Sequence, residues 1–215
     1  MIDLKQVEGK LSSSIMSDVL DGMGIRGQSM GTAIRPVHDD MVIVGYAATM
    51  LMVDQYDYEK DTFSLQFQAI DSLKEDEVMM VSAQGSERAA LWGELLSTAA
   101  RYRGAKGTII EGVARDIKLI REMNYPVFAM GVNPISSKGR IIAVDYACPV
   151  EICGVMVYPG DLVVADIDGV VVVPKDVAEK AVENALDIAT RETRTRDELK
   201  EGSGLYDVYK KYGTI

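Results

Sequence analysis

Residues 85–116 read GSERAALWGELLSTAARYRGAKGTIIEGVARD. Ala89 to Arg103 is rich in Ala and Leu, the composition of a helix. Gly104 and Gly107 then punctuate the chain, and Thr108 to Ile110 is an apolar, β-branched strand core. A helix that starts near Gly93 or Glu94 and runs about ten residues covers roughly 15 Å. After the reversal at Gly104–Gly107, the strand from Thr108 returns about the same distance. Arg115 and Asp116 therefore arrive just past the strand's C-terminal end, beside the helix N-terminus. Ligands in α/β units bind at that edge.

The flanking sequence extends the same pattern. On the N-terminal side, the stretch to Leu20 reads as helical, with Ser14 or Ser17 as cap and Ile15, Val19 and Leu20 as an apolar stripe. The Gly-rich segment Asp21 to Gly31 breaks regular structure, and Val42 to Val53 reads as a long strand. Thr62 to Leu73 has Phe63, Phe67, Ile70 and Leu73 at helical spacing, with the aromatics expected in the core. Glu77 to Ser82 is a strand, interrupted at Gly85. Ile117 to Met123 reads as a helix and Val127 to Met130 as a strand. This alternation indicates an α/β layer.

Beyond it, Arg140–Val144, Val150–Val157, Leu162–Ile167 and Val170–Val173 are closely spaced β runs. Pro159-Gly160-Asp161 and Asp168-Gly169 mark the turns between them, which is antiparallel chemistry. Pro174 ends this region, and Lys175 to Lys200 reads as one long charged helix. The tail carries Tyr206, Tyr209 and Tyr212, suited either to fraying or to packing on a neighbouring subunit. The expectation is a single domain over residues 1–215, with an N-terminal helical segment (1–30) and a C-terminal helix and tail (175–215).

Composition narrows the functional classes. The 215 residues are 47% hydrophobic and 26% charged, with a formal net charge of −10. An acidic surface repels phosphate backbones, which argues against nucleic-acid binding. It leaves room for a small anionic substrate, because a local Arg and a metal ion outweigh distant surface charge. Cys148 and Cys153 lie in an apolar stretch with no metal-ligand pattern and read as two small buried hydrophobes. MIDLKQVEGK holds no apolar signal core, and the apolar run from Met41 to Val53 is too short to span a bilayer. A cytosolic protein that engages no membrane is expected. The one histidine, His38, sits beside Asp39 and Asp40 in a turn, so histidine-based catalysis and His- or Cys-rich zinc sites have no ligands to draw on. Any metal would be held by carboxylates and water, which suits Mg²⁺, Mn²⁺ or Ca²⁺.

Returned to the opening stretch, these limits define a constellation. The helix start offers the amides of Leu95 and Leu96 and a partial positive charge, a place that binds carboxylates. Arg115 can add a bidentate contact to the same carboxylate. Asp116 can ligate a hard cation, with Glu94 reaching it directly or through water. The alternative for each piece is ordinary: a surface ion pair at a strand end, and a Glu that suits the helix dipole.

The segment resembles the RraA-like family. That family includes the regulator of ribonuclease E activity and proteins once labelled demethylmenaquinone methyltransferases. It also includes the class II pyruvate aldolases that act on 4-hydroxy-4-methyl-2-oxoglutarate and 4-carboxy-4-hydroxy-2-oxoadipate. Glu94, the intervening residues 95–114 and Arg115-Asp116 match the aldolase signature, with Glu where the best-known aldolases have Asp. Ser17-Asp18-Val19-Leu20-Asp21 with Gly24 resembles the family's opening helix, Trp92 to Leu96 its carboxylate-binding helix start, and Val150 to Pro174 its closing β region. The resemblance implies an α/β/β/α swivelling domain, assembled as a homotrimer or homohexamer. Asp116 would be the direct ligand of Mg²⁺ or Mn²⁺, and Glu94 would act through metal-bound water. Arg115, aided by Gly93, Leu95 and Leu96, would bind the substrate's pyruvate half. A neighbouring subunit's acid would complete the site, with Glu179, Glu183 and Glu192 as candidates. Three departures stand out: Lys74-Glu75-Asp76 where many relatives have Pro-Gly-Asp, Cys153 where glycine is common, and Ser137 where some relatives have an acid.

The implied activity is metal-assisted retro-aldol cleavage of a 4-hydroxy-2-oxo acid to pyruvate, with oxaloacetate decarboxylation alongside. The competing expectation is a protein-binding regulator of an RNA-degrading enzyme. A quinone methyltransferase is disfavoured, since no Gly-rich nucleotide loop follows a predicted strand.

Overall fold

The computed structural model describes Ile2, Leu4–Val7, residues 9–59 and residues 61–213. Helix α1 (Leu4–Val7) precedes α2 (Ser13–Gly22). The cap of α2 is Ser12, not Ser14 or Ser17. Ser12 alone keeps extended backbone (φ −116°, ψ 156°), and its Oγ accepts from Ile15 N. The Asp166 carboxylate accepts from Ser13 N at 2.8 Å and from Ser13 Oγ at 2.6 Å, tying α2 to the far end of the chain.

A nine-stranded sheet follows. Its strands are β1 (Arg35–Pro36), β2 (Ile43–Asp54), β3 (Glu77–Ser82), β4 (Ala90–Trp92), β5 (Gly107–Ala114), β6 (Val127–Val132), β7 (Ile141–Tyr146), β10 (Leu162–Asp166) and β11 (Gly169–Val173). The main path runs β1-β6-β5-β3-β2-β10-β11, with β4 also on β5 and β7 also on β2. The pairs β2–β3, β3–β5 and β5–β6 are parallel, as the strand–helix alternation implies. Helices α3 (Ser64–Asp71), α4 (Glu94–Tyr102) and α5 (Ile117–Glu122) supply the crossovers.

The later β runs are antiparallel, as their turns indicate, but they form no separate layer. β10 and β7 both pair with the long strand β2. Only β8 (Val150–Ile152) and β9 (Val155–Val157) stand apart, as a hairpin that divides the single run expected over Val150–Val157. Cys153 sits in that hairpin turn at φ 47°, which is the physical reason a glycine suits the position.

Strand periodicity splits the core in two. Val163, Ala165, Val170 and Val172 face one apolar cluster, together with Ile43, Met79, Ile109 and Phe128. Their neighbours Leu162, Val164, Val171 and Val173 face a second cluster with α2 and the last long helix. Side chains alternate faces along a strand, so a sheet covered on both sides needs the unbroken valine run seen here. That long helix is α6 (Ala178–Lys200), which starts after the expected Lys175 because Lys175 N is held by Asp161 Oδ1 in the preceding turn.

The tail is neither frayed nor free of its own chain: α7 (Leu205–Tyr212) folds back on α6. Val208 is buried, Tyr212 Oη donates to Glu198 Oε1 at 2.7 Å, and Lys211 pairs with the same carboxylate, while Tyr206 and Tyr209 stay exposed. The final residues 214–215 lie outside the described residues. Among the described residues, no helix is long and apolar enough to cross a membrane.

Gly107, at the start of β5, is closely surrounded. A Cβ there would lie 2.5 Å from Ile43 Cδ1 and 2.8 Å from the Pro126 carbonyl oxygen. Overpacking of this kind costs about 1–3 kcal/mol. Gly107→Ala is expected to lower the unfolding free energy by that amount, read from urea titration at unchanged slope.

Candidate active site

Residues 89–103, read from composition as one helix, divide at Gly93. Ala90–Trp92 form β4, parallel to β5, and α4 begins at Glu94. Arg115 N donates to Trp92 O at 2.9 Å, so the end of β5 is fastened to the last residue of β4, one residue before the helix cap Gly93. The start of α4 is pinned from inside. Buried Trp92 donates through Nε1 to Ser97 Oγ at 2.8 Å, and Ser97 Oγ donates to Gly93 O at 3.0 Å.

Asp116 follows in the left-handed region, at φ 59° and ψ 32°. Few non-glycine residues adopt this conformation; Asp is among the more tolerant. Asp116 occupies the N-cap of α5, yet its side chain makes no capping bond to that helix. The carboxylate turns across to α4 instead. Glu94 N donates to Asp116 Oδ2 over 3.4 Å, and Arg115 Nε lies 3.5 Å from the same oxygen. A Cβ on Gly93 would sit 2.6 Å from Asp116 Oδ2 and 3.2 Å from Arg115 Cγ. Gly93 itself is extended, at φ −152° and ψ −171°, so glycine is needed here for space and not for conformation.

The structure brings Arg115, Asp116 and the start of α4 together, with Glu94 meeting Asp116 through its backbone N while its side chain does not line the pocket. The first α4 bond to Gly93 O comes from Ser97 N, which leaves the amides of Leu95 and Leu96 ahead of the helical ladder. Gly93, Leu95, Leu96, Arg115 and Asp116 line one pocket of about 230 Å³. The Arg115 and Asp116 side chains are each about two-fifths exposed, within reach of a ligand. Glu94 Oε1 accepts from Thr98 Oγ1 at 2.8 Å.

The rest of the pocket wall corrects the sequence reading. Phe63 and Phe67 line the pocket and are not core residues; their rings stack at 5.4 Å and 4°, with Phe67 48% exposed. The core positions of α3 are Ala69 and Ile70, with Gln66 on the same face. Gln66, Ser136 and Ser137 complete the lining. A polar residue interrupting the apolar face of α3 was the available signal for Gln66. Ser136 had none, because its loop is brought to the site by tertiary contacts, among them an isolated bridge to Ala90. Cys153 does not line the pocket.

Other candidates fall elsewhere. His38 is half-exposed in the turn before β2, where Nδ1 accepts from Asp40 N. Cys148 and Cys153 are half-buried, not fully buried as expected, and both are free. Burial, then Asp145 beside Cys148 and Glu111 beside Cys153, pushes both thiols up, away from thiolate chemistry. Glu179, Glu183 and Glu192 lie on α6, and none lines this chain's pocket. No group of three or more His, Cys, Asp or Glu side chains clusters among the described residues. Within one chain, a cation in this pocket would have the Asp116 carboxylate, with Glu94, whose side chain does not line the pocket, reaching it through water, a donor set suited to a hard ion that keeps several waters.

The chain is similar to known proteins over most of its length. The model of the RraA-like family, described as Aldolase/RraA, matches residues 15–172. Protein DlpA of Legionella pneumophila is 32% identical over 94% of this chain, which spans about a third (32%) of that relative's length. A protein of Halalkalibacterium halodurans named "Putative 4-hydroxy-4-methyl-2-oxoglutarate aldolase" is 28% identical, over 88% of this chain and 87% of its own. The structure of RraAS2 from Streptomyces coelicolor, described as an unusual member of the RNase ES inhibitor RraA family, superposes with a TM-score of 0.79. It is 26% identical and covers 89% of this chain and 94% of its own. The chain belongs to the RraA-like family.

Proposed function

We propose that this protein is a divalent-metal-dependent lyase that cleaves a 4-hydroxy-2-oxo acid to pyruvate, with oxaloacetate decarboxylation as a second outlet of the same chemistry. The observation that carries the reading is the Asp116 carboxylate. It sits on strained backbone, forgoes the cap of its own helix and is turned toward Gly93. Strain of this kind concentrates at functional sites. Aldolase-named relatives add support.

Asp116 and Glu94 are the residues that would hold Mg²⁺ or Mn²⁺. Their hard oxygen donors fit such an ion, and Asp116 Oδ1 has no hydrogen-bond partner among the described residues. When bound, the cation supplies Lewis-acid polarisation of the substrate's 2-oxo group. Arg115 presents a planar fork to the substrate carboxylate and stabilises the charge that develops beside it. The Leu95 and Leu96 amides hold the other carboxylate oxygen at the helix start. Cleavage breaks C3–C4. The electron pair stays with C3 as the enolate, the 4-hydroxyl releases its proton as C4 becomes a carbonyl, and protonation of C3 gives pyruvate. Decarboxylation of oxaloacetate yields the same enolate. An acid from a second copy of the chain, in a trimer or hexamer, completes the site in this reading.

A role as regulator of an RNA-degrading enzyme is the second reading, favoured by the likeness to RraAS2. Such a role needs an exposed surface, not this carboxylate, so capture of the endonuclease that survives Asp116→Ala would support it.

Purified protein with Mg²⁺ or Mn²⁺ should release pyruvate from a panel of 4-hydroxy-2-oxo acids and from oxaloacetate, and lose that activity on chelation. Silence across the whole panel rules the lyase out. Asp116→Ala should abolish turnover while the circular dichroism spectrum stays unchanged. Arg115→Lys should lower kcat/KM by roughly 10²–10³-fold, because a point charge replaces a fork. Gly93→Ala should keep its melting temperature and lose about a hundredfold in kcat, since the new methyl displaces the Asp116 carboxylate. Full activity in that variant would show that the close approach has no catalytic meaning.

A further inference from the structure

Ser137 stands in the loop between β6 and β7 and lines the pocket that holds Arg115 and Asp116. The residue is only 6% exposed, and its hydroxyl has no hydrogen-bond partner among the described residues. Gln55, Gln66 and Thr195 also keep an unpartnered side-chain oxygen, but theirs are sealed from solvent, and that of Ser137 is not. What surface the Ser137 hydroxyl keeps therefore opens on the cavity that the residue lines. Buried hydroxyls are ordinarily paired, and alanine would fill this place with no polar atom left over. The group calls for a polar ligand atom in the pocket.

The loop that carries it is tied down on every side. Ala90 N donates to Ile135 O at 2.8 Å, and Gly139 N donates to the buried Thr62 Oγ1 at 3.0 Å. Ser137 O accepts from Arg140 N at 2.8 Å and from Ile141 N at 3.0 Å. A hydroxyl on so fixed a backbone loses little freedom when a ligand arrives. Ser136 pairs with Ala90, which precedes Gly93 by about 10 Å of strand. In the reading above the pyruvate half occupies Arg115 and the helix start. Ser137 is then left for the half of the substrate beyond the cleaved bond.

The chemistry of the residue names the group it would meet. A hydrogen bond from a hydroxyl to a carboxylate is about twice as strong as a neutral one. Asp116 is the one acid among the described residues that line the pocket, so no carboxylate of this wall opposes an anion beside Ser137. An acid in place of Ser137, as some relatives have, would repel it.

We propose that Ser137 is a specificity-determining residue whose hydroxyl donates to a second carboxylate, on the substrate half beyond C3–C4, so that the pocket prefers a dicarboxylate. This assignment rests on the lyase reading and adds the residue that reads the second half of its substrate. Ser137 takes no part in bond breaking. Its proton stays on Oγ, and the second carboxylate leaves unchanged on the carbonyl fragment.

The test separates binding from turnover. 2-Oxoglutarate and 2-oxopentanoate lack the 4-hydroxyl and cannot undergo the cleavage; they differ only in a carboxylate or a methyl at C5. In calorimetric titration with Mg²⁺ present, wild-type protein should bind 2-oxoglutarate about tenfold or more tightly than 2-oxopentanoate, the equivalent of one hydrogen bond to a charged group. Ser137→Ala should remove most of that preference and leave the affinity for 2-oxopentanoate within about twofold. Equal affinities in the wild type, or a preference that survives in Ser137→Ala, overturns the proposal. Should that variant fail to fold, Ser137→Cys, close in size with a weak S–H donor, takes its place under the same expectation. Turnover should follow: Ser137→Ala lowers kcat/KM for 4-hydroxy-2-oxoglutarate about tenfold more than for 4-hydroxy-2-oxopentanoate. An equal fall for both marks Ser137 as merely structural and overturns its assigned role. Absence of pyruvate from both substrates, with the titration preference present in the wild type and lost in the variant, removes the lyase reading and leaves Ser137 as a dicarboxylate-binding residue.

Discussion

The site depends on the close approach of Asp116 to Gly93. Parallel pairing of β4 with β5 brings the end of one strand level with the residue before α4, and Arg115 N bonded to Trp92 O fixes that level. Any side chain at Gly93 would occupy the space of the carboxylate. The left-handed backbone at Asp116 and its forgone helix cap follow from the same demand: the carboxylate must face away from α5. Trp92, Ser97 and the Gly93 carbonyl then hold the opposite wall still through buried hydrogen bonds. Under the lyase reading Asp116 needs such a rigid seat, because small displacements of a reacting group cost rate steeply.

The rest of the fold keeps that seat rigid. The site strand β5 is buried on both faces, with Ile109 and Ile110 both in the larger apolar cluster, while β10 and β11 divide that cluster from a second one. The antiparallel strands β7 and β10 add to this by pairing with β2 at the sheet's centre. Helix α6 covers the face remote from the pocket, and α7 closes back on α6 through Val208, Tyr212 and Glu198. The charged length of α6 therefore serves the fold of its own chain, and Glu179, Glu183 and Glu192 lie away from this chain's pocket.

Much of this was legible in the sequence. The parallel α/β core followed from strand–helix alternation, and the antiparallel region from its turn chemistry. That Arg115 and Asp116 lie beside the start of α4 was legible because a helix and a returning strand of similar length must bring their ends together. What misled was always a local signal that tertiary contacts overrode. Ala90–Trp92 has helical composition, yet it pairs with β5. Phe63 and Phe67 keep helical spacing with Ile70, but α3 is rotated so that Gln66, Ala69 and Ile70 face inward and the rings border the pocket. Ser14 and Ser17 have the chemistry of caps, but only Ser12 has the extended backbone that a cap requires.

The sequence by itself determined the kinds of element, their order, the hard-oxygen character of any metal site and the residues able to form it. These are properties of composition and short-range spacing, which the chain carries before it folds. Only the tertiary structure decided that Asp116 turns toward α4, that Gly93 is needed for space, and that Gln66 joins the site across more than twenty intervening residues from Leu91, its hydrogen-bond partner. Those outcomes depend on backbone dihedrals and on the packing of segments remote in sequence, so no local pattern could record them. Arg115-Asp116 was visible as a dipeptide; its place in the pocket was set by what the fold put opposite it.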